Sequence, residues 1–320
     1  MNKKLISIFA VCIMAVCCFA AFVGCTPPQE FEVNFYMPDG TPALAAASIL
    51  DDFGFENTTT NFNIVKADQI SASFNAGADL AIMPTIVAAK LYSNGAAIKL
   101  VSTHVFGNLF VMGVNTSAQS VQDMVGKVVY VTVGTTLNLT KYILEQNQIE
   151  WVEGAEPTEG KVTFVSKADG SEILPLMKQA GEKEILAVLG EPQVTKAKSM
   201  ISSLVEVIDL QEEWKNITGF DGYPQASLVA TADFCANHAD YIDALLEAME
   251  GNATYLASNL SSLPTLFASY ESSLGGMTFD ATTIANCNLR VERAQSVKNS
   301  VIDYLQRLGS TVDDAFFYGA

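Results

Sequence analysis

The chain has 320 residues, of which 49% are apolar, 18 are Lys or Arg and 35 are Asp or Glu. This length and apolar content are enough for two globular domains, which excludes disorder as the main state. The net charge of −17 repels phosphate backbones and argues against nucleic acid as a partner. The two histidines, His104 and His238, join no cluster with ligand spacing, so neither a metal site nor a cofactor is predicted.

The N-terminus indicates export. Lys3-Lys4 precedes an uncharged apolar run from Leu5 to Val23, and small residues stand before a Pro-Pro break. No cationic flank follows, which favours a signal peptide over an anchor helix. The Phe22-Val23-Gly24-Cys25 end resembles a bacterial lipobox, with Phe22 where Leu is usual. We predict a lipoprotein signal peptide over residues 1–24 with lipid on Cys25, the alternative being an uncleaved anchor helix.

Only two cysteines, Cys235 and Cys287, lie in the body of the chain, because the other four belong to this N-terminal segment. Two cysteines cannot form a disulfide framework, so the body must be held together by its core. A single bridge and two separately buried thiols both fit the sequence, and buried thiols are the commoner arrangement.

Apolar runs of strand length alternate with helical stretches along the body. The predicted strands are Phe31–Tyr36, Phe62–Val65, Leu80–Met83, Leu100–Thr103, Leu109–Val114, Val128–Val133, Val162–Val165, Ile185–Leu189, Val205–Asp209 and Ser227–Thr231. The predicted helices are Pro42–Leu50, Gln69–Ala76, Thr85–Tyr92, Leu137–Gln146 and Val194–Ser203, followed by a mostly helical tail from Asp240 to Leu308 with breaks at Pro264 and Gly275-Gly276. Continuously apolar strands are typical of sheets covered on both faces, so the fold class is α/β with parallel crossovers.

Two parts of the chain repeat the same motifs in the same order. The pairs are Gly40-Thr41-Pro42 with Gly134-Thr135-Thr136, Lys66-Ala67-Asp68 with Lys167-Ala168-Asp169, Ala76-Gly77 with Ala180-Gly181, and Met83-Pro84 with Glu191-Pro192. Each match is short, and chance can explain the Lys-Ala-Asp pair. Their common order and slowly growing offset predict two similar lobes.

Two such lobes imply a cleft between the carboxyl ends of their strands, where helix N-termini offer unpaired N–H groups. The turn Gly134-Thr135-Thr136 suits ligand contact, since Gly admits a close approach and either Thr can donate a hydroxyl. The alternative is that one Thr only caps the helix, and the two roles are compatible.

Several motifs together resemble the substrate-binding proteins of ABC importers, in the branch that serves nitrate, sulfonate, taurine and thiamine-precursor pyrimidines. The motifs are Pro38-Asp39-Gly40-Thr41-Pro42-Ala43, Gly107-Asn108-Leu109-Phe110, Gly126-Lys127-Val128-Val129 before Gly134-Thr135, Glu191-Pro192 and Tyr223-Pro224-Gln225-Ala226. The resemblance implies a two-lobed type II periplasmic-binding-protein fold, each lobe a mainly parallel sheet flanked by helices, with Leu109–Val114 and Ser227–Thr231 as crossover strands. Lobe one would then be residues 31–111 plus 230–320, and lobe two residues 112–229.

The same resemblance implies a function and partners. A monomeric bacterial lipoprotein, anchored outside the membrane by acyl chains such as palmitate, would capture a small molecule between its lobes. It would present that molecule to an ABC permease and its ATPase. Alternatives are a ligand-sensing receptor without transport, and an enzyme on the same fold of the pyrimidine-precursor or menaquinone-pathway type. Export argues against both enzymes, since their substrates are cytosolic.

The candidate ligand-binding residues follow strand ends in both predicted lobes. They are Thr41, Pro42, Met83, Pro84, Thr85, Asn108, Gly134, Thr135, Thr136, Glu191, Tyr223 and Gln225. Pro42 and Pro84 also suit the first turn of a helix, and Asn108 also suits a turn that satisfies its own backbone. His104 is more often a core residue than a ligand contact.

Glu191 carries the most chemical information about the ligand. A carboxylate at a helix start is stabilised by the helix dipole even without a ligand. If Glu191 faces the cleft, it selects a cation or an N–H donor, such as an aminopyrimidine or another small nitrogenous metabolite. A sulfonate or nitrate site should avoid an unpaired carboxylate and prefer Arg or Lys, and Arg290 is the nearest of few basic candidates, which weighs against simple inorganic oxyanions. Tyr223 can stack on a flat ring or pack against a closing loop.

Catalysis is not predicted. Neither histidine lies in a nucleophile context, and no Gly-rich dinucleotide or phosphate loop follows a strand. No catalytic residue is therefore assigned.

Overall fold

The computed structural model describes residues 30–319. The predicted signal peptide and Cys25 lie outside these residues. The strands are β1 Phe31–Pro38, β2 Thr58–Val65, β3 Leu80–Pro84, β4 Ile98–Val105, β5 Leu109–Val114, β6 Val128–Thr132, β7 Trp151–Glu153, β8 Val162–Lys167, β9 Ile185–Gly190, β10 Leu204–Asp209, β11 Ala226–Thr231 and β12 Leu289–Arg293.

Helices connect most of these strands and form the tail. They are α1 Thr41–Leu44, α2 Ala47–Asp51, α3 Ile70–Asn75, α4 Thr85–Ser93, α5 Thr135–Gln146, α6 Gly170–Lys178, α7 Gln193–Met200, α8 Leu210–Thr218, α9 Ala232–Asn237, α10 Ala239–Glu250, α11 Asn252–Asn259, α12 Leu263–Ser269, α13 Ala281–Asn286 and α14 Ala294–Arg307. Within residues 30–319, no helix combines the length and apolar character that a membrane crossing needs.

The strands form two sheets, and each sheet with its helices is called a lobe here. The first sheet has the order β12-β4-β11-β3-β1-β2, and the second has the order β10-β5-β9-β6-β8-β7. In the first sheet β1 pairs in parallel with β2 and β3, whereas β11 runs antiparallel between β3 and β4. In the second sheet β6 pairs in parallel with β8 and β9, and β5 runs antiparallel between β9 and β10.

The internal repeat of the sequence corresponds to a repeat of topology. β1, β2 and β3 of the first lobe match β6, β8 and β9 of the second, and each set is followed in its sheet by one reversed strand. Gly40 and Gly134 hold the same place after β1 and β6, with φ of 105° and 84°. Such positive angles favour glycine, which explains why this residue recurs at both turns.

Within residues 30–319 the chain passes between the lobes twice, at residues 106–108 between β4 and β5 and at residues 219–225 between α8 and β11. The predicted crossover strands Leu109–Val114 and Ser227–Thr231 instead lie wholly within one sheet each, as β5 and part of β11. Each of these strands pairs on both sides with strands of its own sheet, so it has no free edge to share with the other sheet.

The two connecting segments bind each other. The Tyr223 N–H donates to the Phe106 carbonyl at 3.2 Å, and the Gln225 N–H donates to the Val105 carbonyl at 2.8 Å. Gly222 lies so close that a Cβ there would stand 2.2 Å from the Phe106 oxygen. The connection between the lobes is therefore a pair of hydrogen-bonded chains rather than two independent linkers.

One hydrophobic core is continuous across the lobes. It joins α4 and α14 of the first lobe to α5 and α8 of the second, and buries Trp214 and Tyr304. A second core belongs to the first lobe and a third, smaller one to the second. Arg307 of α14 adds a polar contact across the same interface, donating to the Tyr142 hydroxyl at 2.6 Å.

Candidate functional site

The two sheets present the ends of their parallel strands to each other. β1 and β3 lead into α1 and α4, and β6 and β9 lead into α5 and α7. These ends meet directly, since the Thr41 hydroxyl donates a hydrogen bond of 2.5 Å to the backbone carbonyl of Glu191. The lobes are thus closed on each other where the sequence predicts the ligand cleft.

Thr41 and Pro42 begin α1. Pro42 is partly exposed in the first helical turn, where its missing N–H leaves no bond unmade. Thr41 is buried, and its hydroxyl points to the other lobe instead of capping its own helix. A Thr at this position therefore contributes to the contact between lobes and not to helix capping.

Asn108 links the connecting segment to both lobes. Its Nδ2 donates to the Thr41 hydroxyl at 2.6 Å and to the Glu191 backbone carbonyl at 2.8 Å. The backbone carbonyl of Asn108 accepts from the Glu191 N–H at 3.0 Å. Because the Glu191 carbonyl oxygen can only accept, the side-chain amide of Asn108 must turn its nitrogen toward it. The Asn108 Oδ1 atom is left buried with no partner among residues 30–319, as a free hydrogen-bond acceptor.

Both oxygens of the Glu191 carboxyl group are engaged by the chain itself. Oε2 accepts from the Thr195 N–H at 3.0 Å, and Oε1 accepts from the Thr195 hydroxyl at 3.1 Å and from Asn286 Nδ2 at 3.5 Å. Burial raises the pKa of Glu191 above its usual value, although these hydrogen bonds oppose the shift. The carboxyl group is therefore not an unpaired charge, so it gives no reason to exclude a sulfonate ligand.

A second polar contact joins the lobes beside Glu191. The Thr195 hydroxyl on α7 lies 2.9 Å from the Thr283 hydroxyl on α13, which also lies 2.8 Å from Asp280 Oδ1. The sequence analysis did not identify Thr195, Thr283 or Asn286. Only the spacing of Thr195, four residues after Glu191 on a predicted helix, could have signalled one of them.

Cys287 lies at the same junction. Its thiol is fully buried and close enough to Thr41 for a side-chain hydrogen bond. Burial raises the pKa of the thiol far above its ordinary value, and the nearby Glu191 charge acts in the same direction. Cys235, the other cysteine of the described chain, is also free and buried, so the two thiols are separate.

Gly134, Thr135 and Thr136 form the start of α5, whose N-terminus has no side-chain cap from residues 30–319. Both threonines are partly exposed. Because β6 and β9 are parallel neighbours, this helix start and Glu191 lie at the same edge of the second sheet. The first N–H groups of α5 are therefore donors next to the contact between the lobes.

Two of the side chains at the end of β3 point into the first lobe and not toward the second. Met83 is fully buried in the core, and Thr85 is fully buried with its hydroxyl 2.8 Å from the Ser227 hydroxyl. These two predicted cleft residues face the interior of the first lobe, because their side chains complete its packing. Pro84 between them is partly exposed, and nearby Gln225 has a buried Oε1 without a partner among residues 30–319.

Tyr223 is not a ring-stacking residue of the cleft. Its ring is completely buried against Trp214 and Tyr304, with centroid distances of 5.7 Å and 6.1 Å, and its hydroxyl donates to Gln211 Oε1 at 2.8 Å. Burial raises the pKa of Tyr223. The packing role that the sequence analysis left as the alternative is the one this geometry supports.

His104 and Arg290 are also held by neighbouring groups, although the buried Nδ1 atom of His104 has no partner among residues 30–319. His104 is buried, its Nε2 lies 2.7 Å from the Ser102 hydroxyl, and burial lowers its pKa to about 3. Arg290 lies over the Phe106 ring at 3.4 Å and donates to Glu292 and to the Asp221 carbonyl. The guanidinium thus contacts both connecting segments, and its charge is paired with Glu292 instead of being free for a ligand.

The chain matches no protein-family model and no curated protein in sequence. Its structure is similar to that of an ABC transporter from Parabacteroides distasonis, with a TM-score of 0.71 and 22% identity over 89% of this chain and 98% of that one. The periplasmic aliphatic sulphonate-binding protein of Escherichia coli has a TM-score of 0.64 and 14% identity, over 89% and 96%. The ligand-binding component of an ABC-type import system from Staphylococcus aureus, with zinc bound, has a TM-score of 0.62 and 10% identity, also over 89% and 96%.

These similarities cover nearly the whole described chain and establish its fold. Two six-stranded mixed sheets flanked by helices form the two-lobed α/β arrangement of a type II periplasmic binding protein. This agrees with the fold class that the sequence motifs predicted.

Proposed function

We propose that this protein is the extracytoplasmic solute-binding component of an ABC import system. The observation that carries the proposal is the closed contact between two repeated lobes at the ends of their parallel strands, where a ligand held by both lobes would stabilise closure. The solved structures with this fold include binding components of ABC import systems, which supports the same role here. The ABC permease and its ATPase would be its partners.

The ligand would contact groups that the chain leaves free. Asn108 Oδ1 and Gln225 Oε1 are buried acceptors without partners among residues 30–319, and the start of α5 offers N–H donors. A solute with both a donor and an acceptor or anionic group matches this set. We therefore keep Thr41, Pro42, Pro84, Asn108, Gly134, Thr135, Thr136, Glu191 and Gln225 as proposed ligand-binding residues, with Glu191 acting mainly through its contacts to Thr195.

A thermal-shift screen tests the proposal. It should include aminopyrimidines, thiamine, riboflavin, polyamines, taurine and alkyl sulfonates, each well above its expected dissociation constant. A ligand at one hundred times its dissociation constant stabilises the folded protein by about 2.7 kcal/mol, which raises the melting temperature by several degrees. If none of these classes raises it, the proposal is contradicted.

Two variants localise any binding that the screen finds. Asn108→Ala removes the free acceptor and should reduce the ligand-induced shift. Asn147→Ala, which removes a local bond from Asn147 Nδ2 to the Ile143 carbonyl at 2.9 Å, is the matched control and should leave the shift intact. Equal losses in both variants would place the ligand elsewhere.

We also propose that the protein is a lipoprotein that acts as a monomer outside the cytoplasm, with acyl chains including palmitate on Cys25. The proposal rests on the N-terminal sequence alone. Cys25→Ala should release the protein from the membrane or block its maturation. Unchanged membrane association with an uncleaved N-terminus would instead support an anchor helix.

A binding role, rather than an enzymatic one, is supported by the chemistry at the contact between the lobes. The Cys287 thiol is a poor nucleophile there, because burial raises its pKa. His104 is held by Ser102, and burial lowers its pKa to about 3, which makes it a weak general base.

A further inference from the structure

Four side-chain oxygens form a continuous line across the contact between the lobes. Glu191 Oε1 lies 3.1 Å from the Thr195 hydroxyl, which lies 2.9 Å from the Thr283 hydroxyl, which lies 2.8 Å from Asp280 Oδ1. Glu191 and Thr195 belong to the second lobe, and Thr283 and Asp280 to the first. The middle contact therefore exists only when the lobes are closed.

The hydrogen atoms in this line can be counted. Three oxygen-to-oxygen contacts need three hydrogens, and the two threonines supply one each. If both carboxyl groups are ionised, one contact has no hydrogen and two oxygen lone pairs face each other at hydrogen-bond distance. One additional proton on a carboxyl group completes the line, because each oxygen can then donate to the next in one direction.

Burial decides which carboxyl group holds that proton. Glu191 is 4% exposed in the closed structure, and desolvation raises its pKa. Asp280 is at the surface, and its pKa is lowered by the Thr283 N–H and hydroxyl that donate to it. The proton therefore belongs to Glu191. With the proton in place Glu191 Oε1 donates to the Thr195 hydroxyl, the reverse of the direction that this bond has with an ionised carboxylate. Thr195 then donates to Thr283, which donates to ionised Asp280.

The other groups facing Glu191 do not replace this proton. Asn286 on α13 donates only a long bond of 3.5 Å, and the Cys287 thiol beside it is neutral because its pKa is raised. Lys198, on the same helix as Thr195, exerts a charge effect on both Glu191 and Asp280, but its ammonium group is paired with Glu206 at 3.2 Å. Thr41 and Asn108 bind the Glu191 carbonyl and not its carboxyl group.

We propose that closure of the lobes takes up one proton on Glu191, which makes the closed form more favourable as the pH falls. In the open form the Thr195 to Thr283 contact is broken and Glu191 is solvated, so its carboxyl group ionises at the ordinary pKa of a glutamate. The equilibrium constant for closure then changes by up to tenfold per pH unit between the ordinary pKa of a glutamate and its raised value in the closed form. Above that raised value the proton no longer favours closure.

Small-angle scattering of the ligand-free protein across this pH range tests the proposal. The radius of gyration should rise with pH as the lobes open. One variant supplies the missing hydrogen permanently. In Glu191→Gln the amide donates to Thr195 and does not titrate. This variant should lose the pH dependence.

Two further variants separate this mechanism from simpler ones. Thr283→Val removes the middle oxygen with little change in shape and should also lose the pH dependence. Asp313→Asn changes another aspartate, which caps a helical turn remote from the contact between the lobes. This variant should keep the pH dependence. Circular dichroism on each variant verifies that it is folded.

Three results would overturn the proposal. They are a radius of gyration that does not change with pH in the native protein, a pH dependence that survives in Glu191→Gln, and one that survives in Thr283→Val. The last result would mean that burial of Glu191 alone, and not the hydrogen count, controls closure. Because no ligand is present, none of these results bears on the solute-binding proposal.

Discussion

Gly107 lies directly against the ring of Tyr223. A Cβ atom on residue 107 would stand 2.7 Å from the ring carbon Cε1 and 2.9 Å from Gln211 Cγ, and the φ angle of Gly107 is 94°. The first connecting segment thus packs on the second without room for a side chain. Glycine is required at this position for two reasons, the close approach and the left-handed backbone.

Gly107→Ala should destabilise the protein strongly. The positive φ costs about 1–2 kcal/mol for alanine, and overpacking adds about 1–3 kcal/mol. Urea unfolding would measure the loss. Gly126→Ala is the matched control, since Gly126 has a φ of 78° but no atom within 4 Å of the added Cβ, and it should cost only the backbone part. Equal losses in the two variants would show that the approach to Tyr223 imposes no constraint.

Tyr223→Phe should lower the free energy of unfolding by about 1 kcal/mol, because it removes the bond from the hydroxyl to Gln211 Oε1. The ring stays in place, so a ligand-induced thermal shift should be unchanged. Tyr304→Phe is the control within the same aromatic cluster. The Tyr304 hydroxyl is buried without a partner among residues 30–319, so its removal should cost nothing or increase stability. A loss of ligand response in Tyr223→Phe would restore a ligand role for this residue.

Much of the fold could be predicted from hydrophobic pattern alone. Each of the ten predicted strands lies in or overlaps an observed strand, because strands in sheets covered on both faces have continuous apolar runs. The strands β7 and β12 were not predicted, and both lie at the edge of a sheet and are only partly buried. Among the helices, α6, α8 and α9 were not predicted. Of these, α6 contains Pro175, which normally argues against a helix interior.

The site was less predictable than the fold, for a physical reason. Motifs after strand ends identified Thr41, Asn108 and Glu191, which the structure brings together through three hydrogen bonds. Thr283 and Asn286 come from the helical tail, and nothing in the local sequence indicates that this tail returns to the second lobe. The sequence also does not show which way a side chain points. Met83 and Thr85 lie at the predicted edge of the sheet, but their side chains face the core.

His104 should make the protein less stable in acid. Its pKa is lowered to about 3 by burial, so it is neutral in the folded state, while the unfolded chain binds a proton below about pH 6.5. The unfolded state then holds more protons, and stability falls as the pH decreases from about 6.5 toward 3. This group alone contributes a slope of about 1.4 kcal/mol per pH unit.

Urea unfolding of His104→Gln between pH 6.5 and pH 4 measures that contribution. The variant keeps a polar atom near Ser102 but has no group that titrates, so its free energy of unfolding should depend less steeply on pH than that of the native protein. His238→Gln, which replaces a ring stacked on Phe31 at 4.6 Å, is the control for the loss of a histidine. Parallel curves for the native protein and His104→Gln would contradict the prediction.

Thr41→Val should loosen the contact between the lobes and expose Cys287. The hydroxyl of Thr41 donates to the Glu191 carbonyl and accepts from Asn108, so valine breaks two buried hydrogen bonds at a cost of about 1–3 kcal/mol. Cys287 lies beside this hydroxyl and is completely buried when the lobes are closed. Its reaction with a maleimide, followed by peptide mass spectrometry, therefore reports opening.

Cys235 provides an internal reference for this measurement. Both thiols pack into the core of the first lobe, but Cys287 also lies within hydrogen-bond reach of Thr41, so labelling of Cys235 reports local or global unfolding of that lobe. Thr41→Val should accelerate labelling of Cys287 and leave that of Cys235 unchanged, whereas Thr41→Ser keeps the hydroxyl and should label slowly at both. Acceleration at both thiols in Thr41→Val would mean that the variant loosens the first lobe itself. Unchanged labelling of Cys287 would mean that the Thr41 to Glu191 bond does not hold the lobes together.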